Sequence, residues 1–289
     1  MTTITHKSQR TVAITGAGSG LGRDIALGLA AKRYRVFGTA LSSGEITDLK
    51  QASGGAVSLS HCDITDEVAV RSWAREVTAQ TEGGIDLLIS NAGILTPGPL
   101  EVLPLNAIRR EFDVNVFGAL AVVNAFLSAL RKTRGRIVQV STWTASLPLP
   151  FNGPSGASKA AFEAFASVYR AELKRFGIDF VVAVAGNMRT GGPAKTAAAL
   201  KRVADGMTDE QRDLYGNEFD TFATMLNNMQ SSGLDSVSAA ARVIELAEEV
   251  PAPDRGPVGQ DAEEILRFVH EKSDAEQDAL RRHLVGLEG

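Results

Sequence analysis

Short runs of β-branched residues alternate with helical segments along most of this chain, and this alternation limits the possible folds more than any other feature. The spacing predicts strands over residues 11–15, 35–39, 56–60, 85–90, 136–141 and 178–184, separated by helices that include 21–32, 67–80, 106–131 and 154–176. Parallel neighbouring strands need long crossover connections, which these helices supply. The sequence therefore predicts an α/β fold with a doubly wound parallel sheet.

A glycine-rich turn, Thr-Gly-Ala-Gly-Ser-Gly-Leu-Gly at residues 15–22, follows the first predicted strand and opens the first helix. Glycines let the backbone turn tightly and approach a pyrophosphate, which then lies at the helix N-terminus. A glycine turn can also be purely structural, but its place between strand and helix favours a cofactor site. We predict a Rossmann-type dinucleotide site held by Gly16, Ser19, Gly20, Leu21 and Gly22.

Composition narrows the class of protein. The chain has 289 residues, 44% of them hydrophobic and 22% charged, which is typical of a folded globular protein. No linker or repeat is apparent, so we predict a single domain over 1–289 with a cofactor-binding core over 11–190. The net charge of −4 and the lack of Lys/Arg runs argue against a nucleic-acid partner. The four histidines are dispersed, so no metal site is predicted.

Location is predicted from the cysteine count and the apolar runs. Cys62 is the single cysteine, which excludes an internal disulfide and favours a reducing compartment. The N-terminus is polar, and no apolar run approaches the roughly 20 residues that span a bilayer. We therefore expect a cytoplasmic protein that does not bind membranes.

Five further motifs follow the glycine turn in order. They are Cys-Asp-Ile-Thr at 62–65, Asn-Ala-Gly at 91–93, Asp-Val-Asn-Val at 113–116, the strand at 136–142, and Ala-Ser-Lys-Ala-Ala at 157–161. Together they resemble the short-chain dehydrogenase/reductase family over residues 11–190. The resemblance implies a nicotinamide cofactor, with Asp63 at its adenine, Asn115 supporting the active site and Lys159 as the active-site lysine. It places these residues at the cofactor: Leu41, Asp63, Ile64, Asn91, Ala92, Gly93, Lys159, Met188 and Thr190.

One position departs from the family pattern in a way that bears on catalysis. The family carries Tyr-x-x-x-Lys, and four positions before Lys159 stands Ser155. The family serine, thirteen positions before that tyrosine, corresponds to Thr142, which keeps a hydroxyl that can bond a substrate carbonyl oxygen. In the family the tyrosine exchanges a proton with substrate while hydride moves to or from the nicotinamide. A serine hydroxyl is less acidic and too short for that role, so Asn115, Thr142, Ser155 and Lys159 form an incomplete catalytic set.

Three interpretations of Ser155 remain open. The chain is an active reductase with another proton donor, such as a water held by Lys159, Thr142 and Asn115. Alternatively, it is a non-redox enzyme or a cofactor-binding regulator on the same fold. The third interpretation is an engineered, inactivated form in which serine replaces a natural tyrosine, because residues 152–159 match the family closely apart from this position.

The end of the second predicted strand governs the choice of cofactor in this family. An acid there receives the ribose hydroxyls of NAD, whereas a nearby Arg or Lys favours the phosphate of NADP. Here the acid position holds Ala40 and the basic position Leu41. Ser42 and Ser43 offer hydroxyls to a phosphate, although they are also typical residues for starting a helix. The missing acid favours NADP(H).

The segment after the sixth predicted strand, Ala-Gly-Asn-Met-Arg-Thr at 185–190, resembles the family segment beside the nicotinamide, with Ala185 where proline is usual. Residues 191–233 then form a mostly helical insertion, predicted to be a substrate lid. The lid contributes Met207, Phe219, Phe222, Met225 and Met229, and the opposite wall contributes Trp143, Leu147, Leu149 and Phe151. This resembles hydroxysteroid dehydrogenase-like members and implies a bulky apolar ketone or alcohol, although such residues are also common in ordinary helix packing.

The C-terminal extension, residues 251–289, is rich in Pro and Gly at first and leaves room for a short seventh strand around 256–258. Helices are predicted over 261–270 and 274–284, where they are expected to cover a sheet edge. Family members commonly dimerise through helices that correspond to 106–131 and 154–176. The resemblance therefore implies a homodimer or homotetramer.

Overall fold

A seven-stranded parallel sheet forms the centre of the protein. The computed structural model describes residues 9–189 and 192–287. The strand order is β3-β2-β1-β4-β5-β6-β9, and every pair is parallel. Its strands are β1 (Thr11–Ile14), β2 (Arg35–Ala40), β3 (Val57–His61), β4 (Leu87–Ser90), β5 (Arg136–Thr142), β6 (Asp179–Ala185) and β9 (Arg255–Val258). The predicted fold class is confirmed.

Helices cover both faces of this sheet. The described helices are α1 (Gly20–Ala31), α2 (Ser43–Ala52), α3 (Glu67–Gln80), α4 (Leu105–Phe112), α5 (Ala119–Thr133), α6 (Gly153–Leu173), α7 (Gly192–Gly206), α8 (Asp209–Ser232), α9 (Ser236–Glu248), α10 (Gln260–Glu271) and α11 (Asp274–His283). One apolar core joins α1 and α9 to the sheet through residues such as Ile25 and Val243. The other joins α3, α5 and α6 through Trp73, Phe126 and Phe162.

The helix predicted over 106–131 is not a regular α-helix. A π-helical turn, Asp113–Gly118, separates α4 from α5 and contains Asn115. Close packing accompanies this turn, because a Cβ atom at Gly118 would lie 2.9 Å from Cγ1 of Ile64 and 3.0 Å from its carbonyl oxygen. A π-helical turn changes the direction of the side chains within it, and such turns are frequent at functional sites.

The continuous helix Leu105–Thr133 qualifies the expectation that no apolar run is long enough for a bilayer. It has 29 residues with a mean hydropathy of 1.6 in its most apolar stretch, so by length and composition it resembles a membrane span. Half of that stretch is buried inside the protein. Val122, Val123 and Phe126 are fully buried in the core, so part of this apolar sequence packs inside the protein.

The lid and the C-terminal extension pack against each other. Two short parallel strands that the sequence does not predict, β7 (Met188–Arg189) and β8 (Leu234–Asp235), join the two ends of the lid. Beyond α11, Val285 is fully buried, and a Cβ atom at Gly286 would lie 2.6 Å from Cγ2 of Thr221 on α8. The extension therefore supports the lid in addition to supplying the predicted seventh strand.

Candidate active site

The predicted site residues gather at the carboxyl ends of the central strands. Gly16, Ser19, Gly20, Leu21 and Gly22 follow β1, Leu41 follows β2, Asp63 and Ile64 follow β3, Asn91, Ala92 and Gly93 follow β4, Thr142 ends β5, and Met188 lies in β7 after β6. Ligands of open α/β sheets bind at this edge, where the strand order reverses. Here the reversal lies between β1 and β4. Thr190 lies outside the described residues.

The glycine turn has the backbone geometry that its sequence predicts. Gly16 and Gly20 have φ values of +63° and +54°, a region that residues with a Cβ atom rarely adopt. A Cβ atom at Gly22 would lie 2.2 Å from the carbonyl oxygen of Gly16 and 2.5 Å from Nδ2 of Asn91. The glycines at 16, 20 and 22 are therefore required by the backbone of this turn.

Hydrogen bonds hold the turn against the neighbouring strands. The Thr15 hydroxyl accepts from the backbone N–H groups of Asn91 and Ala92 at 2.9 and 3.0 Å. The Asn91 side chain donates to the carbonyl oxygen of Thr15 at 3.1 Å, and the Thr39 hydroxyl accepts from the Gly16 N–H at 3.0 Å. The Asn-Ala-Gly motif thus supports the glycine turn as well as the space beside it.

The first turn of α1 fits a phosphate group. Ser19 is its N-cap residue, but the Ser19 side chain makes no capping hydrogen bond, and the first turn carries no acidic residue. The backbone N–H groups at such a helix start have no partners within the helix, and their partial positive charge attracts anions. Gly20, Leu21 and Gly22 therefore offer donors to a diphosphate, which agrees with the predicted cofactor site.

Asn115 lies at the centre of a buried hydrogen-bond network. Its Oδ1 accepts from the Ile94 N–H at 2.9 Å, and its Nδ2 donates to the Ile94 carbonyl oxygen and to Oγ of Ser158, both at 3.0 Å. A further contact of 3.3 Å joins Nδ2 to Oε1 of Glu111. Asn115 thereby ties the loop after β4 to α6.

Lys159 lies next to this network. A Cβ atom at Gly93 would lie 3.1 Å from Oδ1 of Asn115 and 3.3 Å from Nζ of Lys159, so glycine leaves room beside both polar groups. Lys159 donates to the Val140 carbonyl oxygen at 3.0 Å. Part of the residue is exposed, but protein encloses its ammonium group. This burial lowers the pKa of Lys159 to about 8, and the charges of Glu111 and Glu163 act in the opposite direction.

Glu111 is a buried acid that the sequence analysis missed. It is 0% exposed and lies four residues before Asn115, so the two side chains share a helix face. Its Oε2 has no hydrogen-bond partner among the described residues. Burial raises the pKa of Glu111 to about 7. The polar groups of Thr96 and the positive charge of Lys159 favour the ionised carboxylate and so act in the opposite direction. The spacing to Asn115 was the available signal, but sequence alone does not show burial.

The two hydroxyl positions of the catalytic set lie close to these groups. Ser155 is in the first turn of α6, four residues before Lys159, and is buried. Its side chain makes no hydrogen bond with the described residues, whereas its carbonyl oxygen accepts from Oγ of Ser158 at 3.1 Å. Thr142 ends β5, and its Oγ1 accepts from the Thr144 hydroxyl at 3.3 Å.

Ser141 directly precedes Thr142, but its hydroxyl is already hydrogen-bonded to another side chain. It donates from Oγ to Oε1 of Glu163 at 2.5 Å, and Arg255 of β9 forms an ion pair with the other oxygen of Glu163. Glu163 is buried and lies one turn beyond Lys159 on α6. This contact leaves Thr142 as the hydroxyl available on this strand.

The predicted cofactor positions that follow β2 and β3 differ in what their side chains contact. The Leu41 side chain is 64% exposed. Asp63 accepts from the N–H and the hydroxyl of Thr65, at 2.9 and 2.8 Å. The Ile64 side chain is buried against the π-helical turn, so only its backbone is available to a ligand. Ser42 caps α2 by accepting from the Glu45 N–H at 3.2 Å, which confirms the alternative that these serines start a helix.

The aromatic residues of the lid and the wall pack against each other. The Phe151 ring centroid lies 5.9 Å from that of Phe219 and 5.5 Å from that of Phe222, and both lid rings are buried. Trp143, Leu147 and Leu149 are also buried. These contacts match the packing alternative for these side chains, and they join the lid firmly to the wall of the site.

A parallel sheet with an uncapped glycine turn, and with a lysine and an asparagine beside it, defines the class of Rossmann-type nucleotide-binding proteins. The short chain dehydrogenase profile matches residues 10–201. The chain belongs to that family.

Three similar proteins illustrate the relationship. Estradiol 17-beta-dehydrogenase 2 of Rattus norvegicus is 30% identical over 73% of this chain and 57% of its own length. NADPH-dependent 1-acyldihydroxyacetone phosphate reductase of Schizosaccharomyces pombe is 30% identical over 68% of this chain and 66% of its own length. The chain thus matches less than two thirds of either relative. A short chain dehydrogenase structure from Burkholderia cenocepacia J2315, in complex with NADP, covers 96% of this chain and 97% of its own, with a TM-score of 0.71 and 24% identity.

Proposed function

We propose that this protein is an oxidoreductase that transfers a hydride between a nicotinamide dinucleotide and a ketone or alcohol. The observation that carries this proposal is the open space at Gly93, where a Cβ atom would meet polar atoms of both Asn115 and Lys159. This space lies beside the first turn of α1, which has no side-chain cap. A dinucleotide bound by its diphosphate at α1 would extend toward these groups along the strand ends. The bound cofactor would supply the hydride chemistry.

The chain's own residues would bind and orient the reactants. The backbone of Gly20, Leu21 and Gly22 would hold the diphosphate, and Lys159 would place a positive charge where negative charge develops on the substrate oxygen. At neutral pH most Lys159 carries that charge, since its pKa is about 8. Thr142 would donate a hydrogen bond to the same oxygen.

Ser155 determines how much catalysis this arrangement supports. Its hydroxyl is bound to none of the described side chains, and a serine hydroxyl is a much weaker acid than a phenol. A positioned general acid typically contributes about 10²- to 10⁴-fold in rate. We expect the protein to bind its cofactor but to catalyse hydride transfer slowly.

The relatives support a cofactor and a substrate class. The NADP in the Burkholderia cenocepacia complex and the NADPH in the name of the fission yeast reductase support NADP(H) as a cofactor of this chain. Estradiol in the name of the rat relative supports a bulky apolar alcohol or ketone as the substrate. We propose a homodimer as the minimal assembly and one domain, 1–289, as the folding unit.

Introducing the missing phenol tests the function directly. We expect wild-type protein to bind NADPH in calorimetry and to oxidise it slowly with apolar ketones. Ser155→Tyr should raise the turnover about 10²-fold or more, because it restores a proton donor four residues before Lys159. Ser146→Tyr, a change outside the first turn of α6, is the matched control and should give no gain.

Two results would contradict the proposal in different ways. If neither NADPH nor NADH binds the folded wild-type protein, the nucleotide site itself is wrong. If the dinucleotides bind but Ser155→Tyr reduces no member of a broad carbonyl panel, the redox function is wrong and the chain is a binding protein or a non-redox enzyme.

A further inference from the structure

The structure places an acid near the end of β2 that the sequence pattern does not reveal. The usual acid position holds Ala40, but the Glu45 side chain turns back from the first turn of α2 toward this strand end. Its Oε2 accepts from the Leu41 N–H at 3.3 Å. A Cβ atom at Gly18 would lie 2.9 Å from this oxygen and 2.9 Å from Cβ of Ala40. The carboxylate therefore lies between β2 and the glycine turn.

Local structure holds Glu45 in this position. The Ser42 hydroxyl accepts from the Glu45 backbone N–H at 3.2 Å, which fixes the start of α2. A carboxylate in the first turn of a helix is also stabilised by the helix dipole. Gly18 leaves the space that the side chain uses, because any larger residue would collide with it. The side chain is half-buried.

Within residues 9–189 and 192–287, Glu45 forms no ion pair with Lys or Arg within 4.0 Å. Arg23 of α1 lies 3.8 Å from Asp24 instead. His61 of β3 contacts the Leu41 carbonyl oxygen through Nε2 at 3.1 Å.

We propose that Glu45 is the residue that sets cofactor selectivity, by receiving the adenosine ribose hydroxyls of NAD(H) and opposing the 2′-phosphate of NADP(H). This inference rests on the proposed function, because it requires the dinucleotide to bind at the glycine turn. Glu45 thus takes the role of the acid absent from position 40 and makes NAD(H) a competing cofactor, whereas the sequence pattern alone favours NADP(H).

The chemistry of the two cofactors gives the direction of the effect. The ribose of NAD(H) has two adjacent hydroxyls, and a carboxylate accepts strong hydrogen bonds from such donors. NADP(H) carries a phosphate on one of these oxygens, which removes a donor and adds negative charge. Two negative charges a few ångströms apart repel each other, and among the described residues no basic side chain forms an ion pair with Glu45 to offset the repulsion.

Binding measurements on matched variants test this inference without relying on catalysis. Dissociation constants for NADH and NADPH are measured by calorimetry for wild-type protein, Glu45→Gln and Asp48→Asn. Asp48→Asn is the control, because it removes the same charge from an exposed position one turn further along α2. We expect Glu45→Gln to lower the ratio Kd(NADPH)/Kd(NADH) at least tenfold, which corresponds to about 1.4 kcal/mol. The control should change the ratio less than twofold.

Each result has a distinct meaning. An unchanged ratio in Glu45→Gln, or an equal change in Asp48→Asn, overturns the role of Glu45 while the proposed function stands. Binding of neither dinucleotide to wild-type protein overturns the proposed function itself. Thermal unfolding of the three proteins checks that they are equally folded, as expected for substitutions that keep a polar side chain of nearly the same size.

Discussion

At the scale of single residues, the site is marked by an acid and a base whose pKa values converge. Burial raises the pKa of Glu111 to about 7 and lowers that of Lys159 to about 8, while their mutual attraction acts against both shifts. Perturbed values of this kind are typical of functional sites because such sites bury ionisable groups together. The Asn115 side chain forms hydrogen bonds with both Glu111 and the loop after β4, so it connects the buried acid to that loop.

The buried carboxyl group of Glu111 should make stability depend on pH. Its pKa is raised from 4.5 to about 7, so the folded state retains a proton that the unfolded state releases between these values. Stability is therefore lost as the pH rises through this range, on the order of 2–3 kcal/mol. Glu111→Gln should remove this loss in urea unfolding at pH 5 and pH 8. Glu218→Gln, at an exposed position, should retain the wild-type difference, and an equal difference in all three proteins would refute the assignment.

At the scale of secondary-structure elements, the loop after β6 is held by parts of the chain that are distant in sequence. Asp261 of α10 accepts from the Asn187 N–H at 2.7 Å and from its side chain at 3.0 Å. A Cβ atom at Gly186 would lie 1.9 Å from Oδ1 of Asp261, so the contact requires glycine. On the other side, the Asn187 carbonyl oxygen accepts from the Leu234 N–H at 2.9 Å. The C-terminal extension and the lid thus position the same loop.

Removing the Asp261 carboxylate should weaken dinucleotide binding from a distance. Hydrogen bonds to a charged group contribute about 1.5–3 kcal/mol each, so Asp261→Ala should release the loop that leads to Met188. We expect the Kd for the dinucleotide to rise about tenfold in Asp261→Ala. Asp261→Asn keeps an acceptor oxygen and should stay within about threefold of wild type. A general structural defect would instead lower the melting temperatures of both variants equally and leave the Kd of the folded protein unchanged.

At the scale of the whole molecule, large apolar side chains are exposed on the π-helical turn and on α6. Phe117 in the π-helical turn is 60% exposed, and Phe165 and Val168 on α6 are 43% and 53% exposed. The π-helical turn and α6 pack side by side, and Phe165 and Val168, three residues apart, lie on one face of α6. Contiguous exposed apolar patches commonly mark contacts between proteins, and these residues lie on the two helices that the family resemblance assigns to dimerisation.

A charge in this patch should disrupt the proposed dimer. We expect wild-type protein to sediment as a dimer at micromolar concentration and Phe165→Asp to sediment as a folded monomer, because a carboxylate cannot be buried in an apolar interface without a partner. Val237→Asp is the matched control, since Val237 is 68% exposed at the start of α9 on another face. A wild-type monomer, or a dimer that survives Phe165→Asp, would count against this surface.

The sequence by itself determined the fold class and the geometry of the glycine turn after β1. Strand and helix periodicity depend on local preferences and on which face is buried, and the glycine turn can adopt its geometry with no other residue type. For this reason the alternation of strands and helices along the chain and the glycines at 16, 20 and 22 could be predicted. The serine at position 155 is also read directly from the sequence, and the expected loss of a proton donor follows from the chemistry of its side chain.

Only the tertiary structure decided which polar groups meet. Glu45 reaches the end of β2 because Gly18, 27 positions earlier, leaves space for it, and Asp261 reaches Asn187 across 74 positions. The raised pKa of Glu111 depends on burial by elements that join only in the folded chain. Such contacts depend on distance and desolvation in three dimensions, which local sequence patterns do not encode.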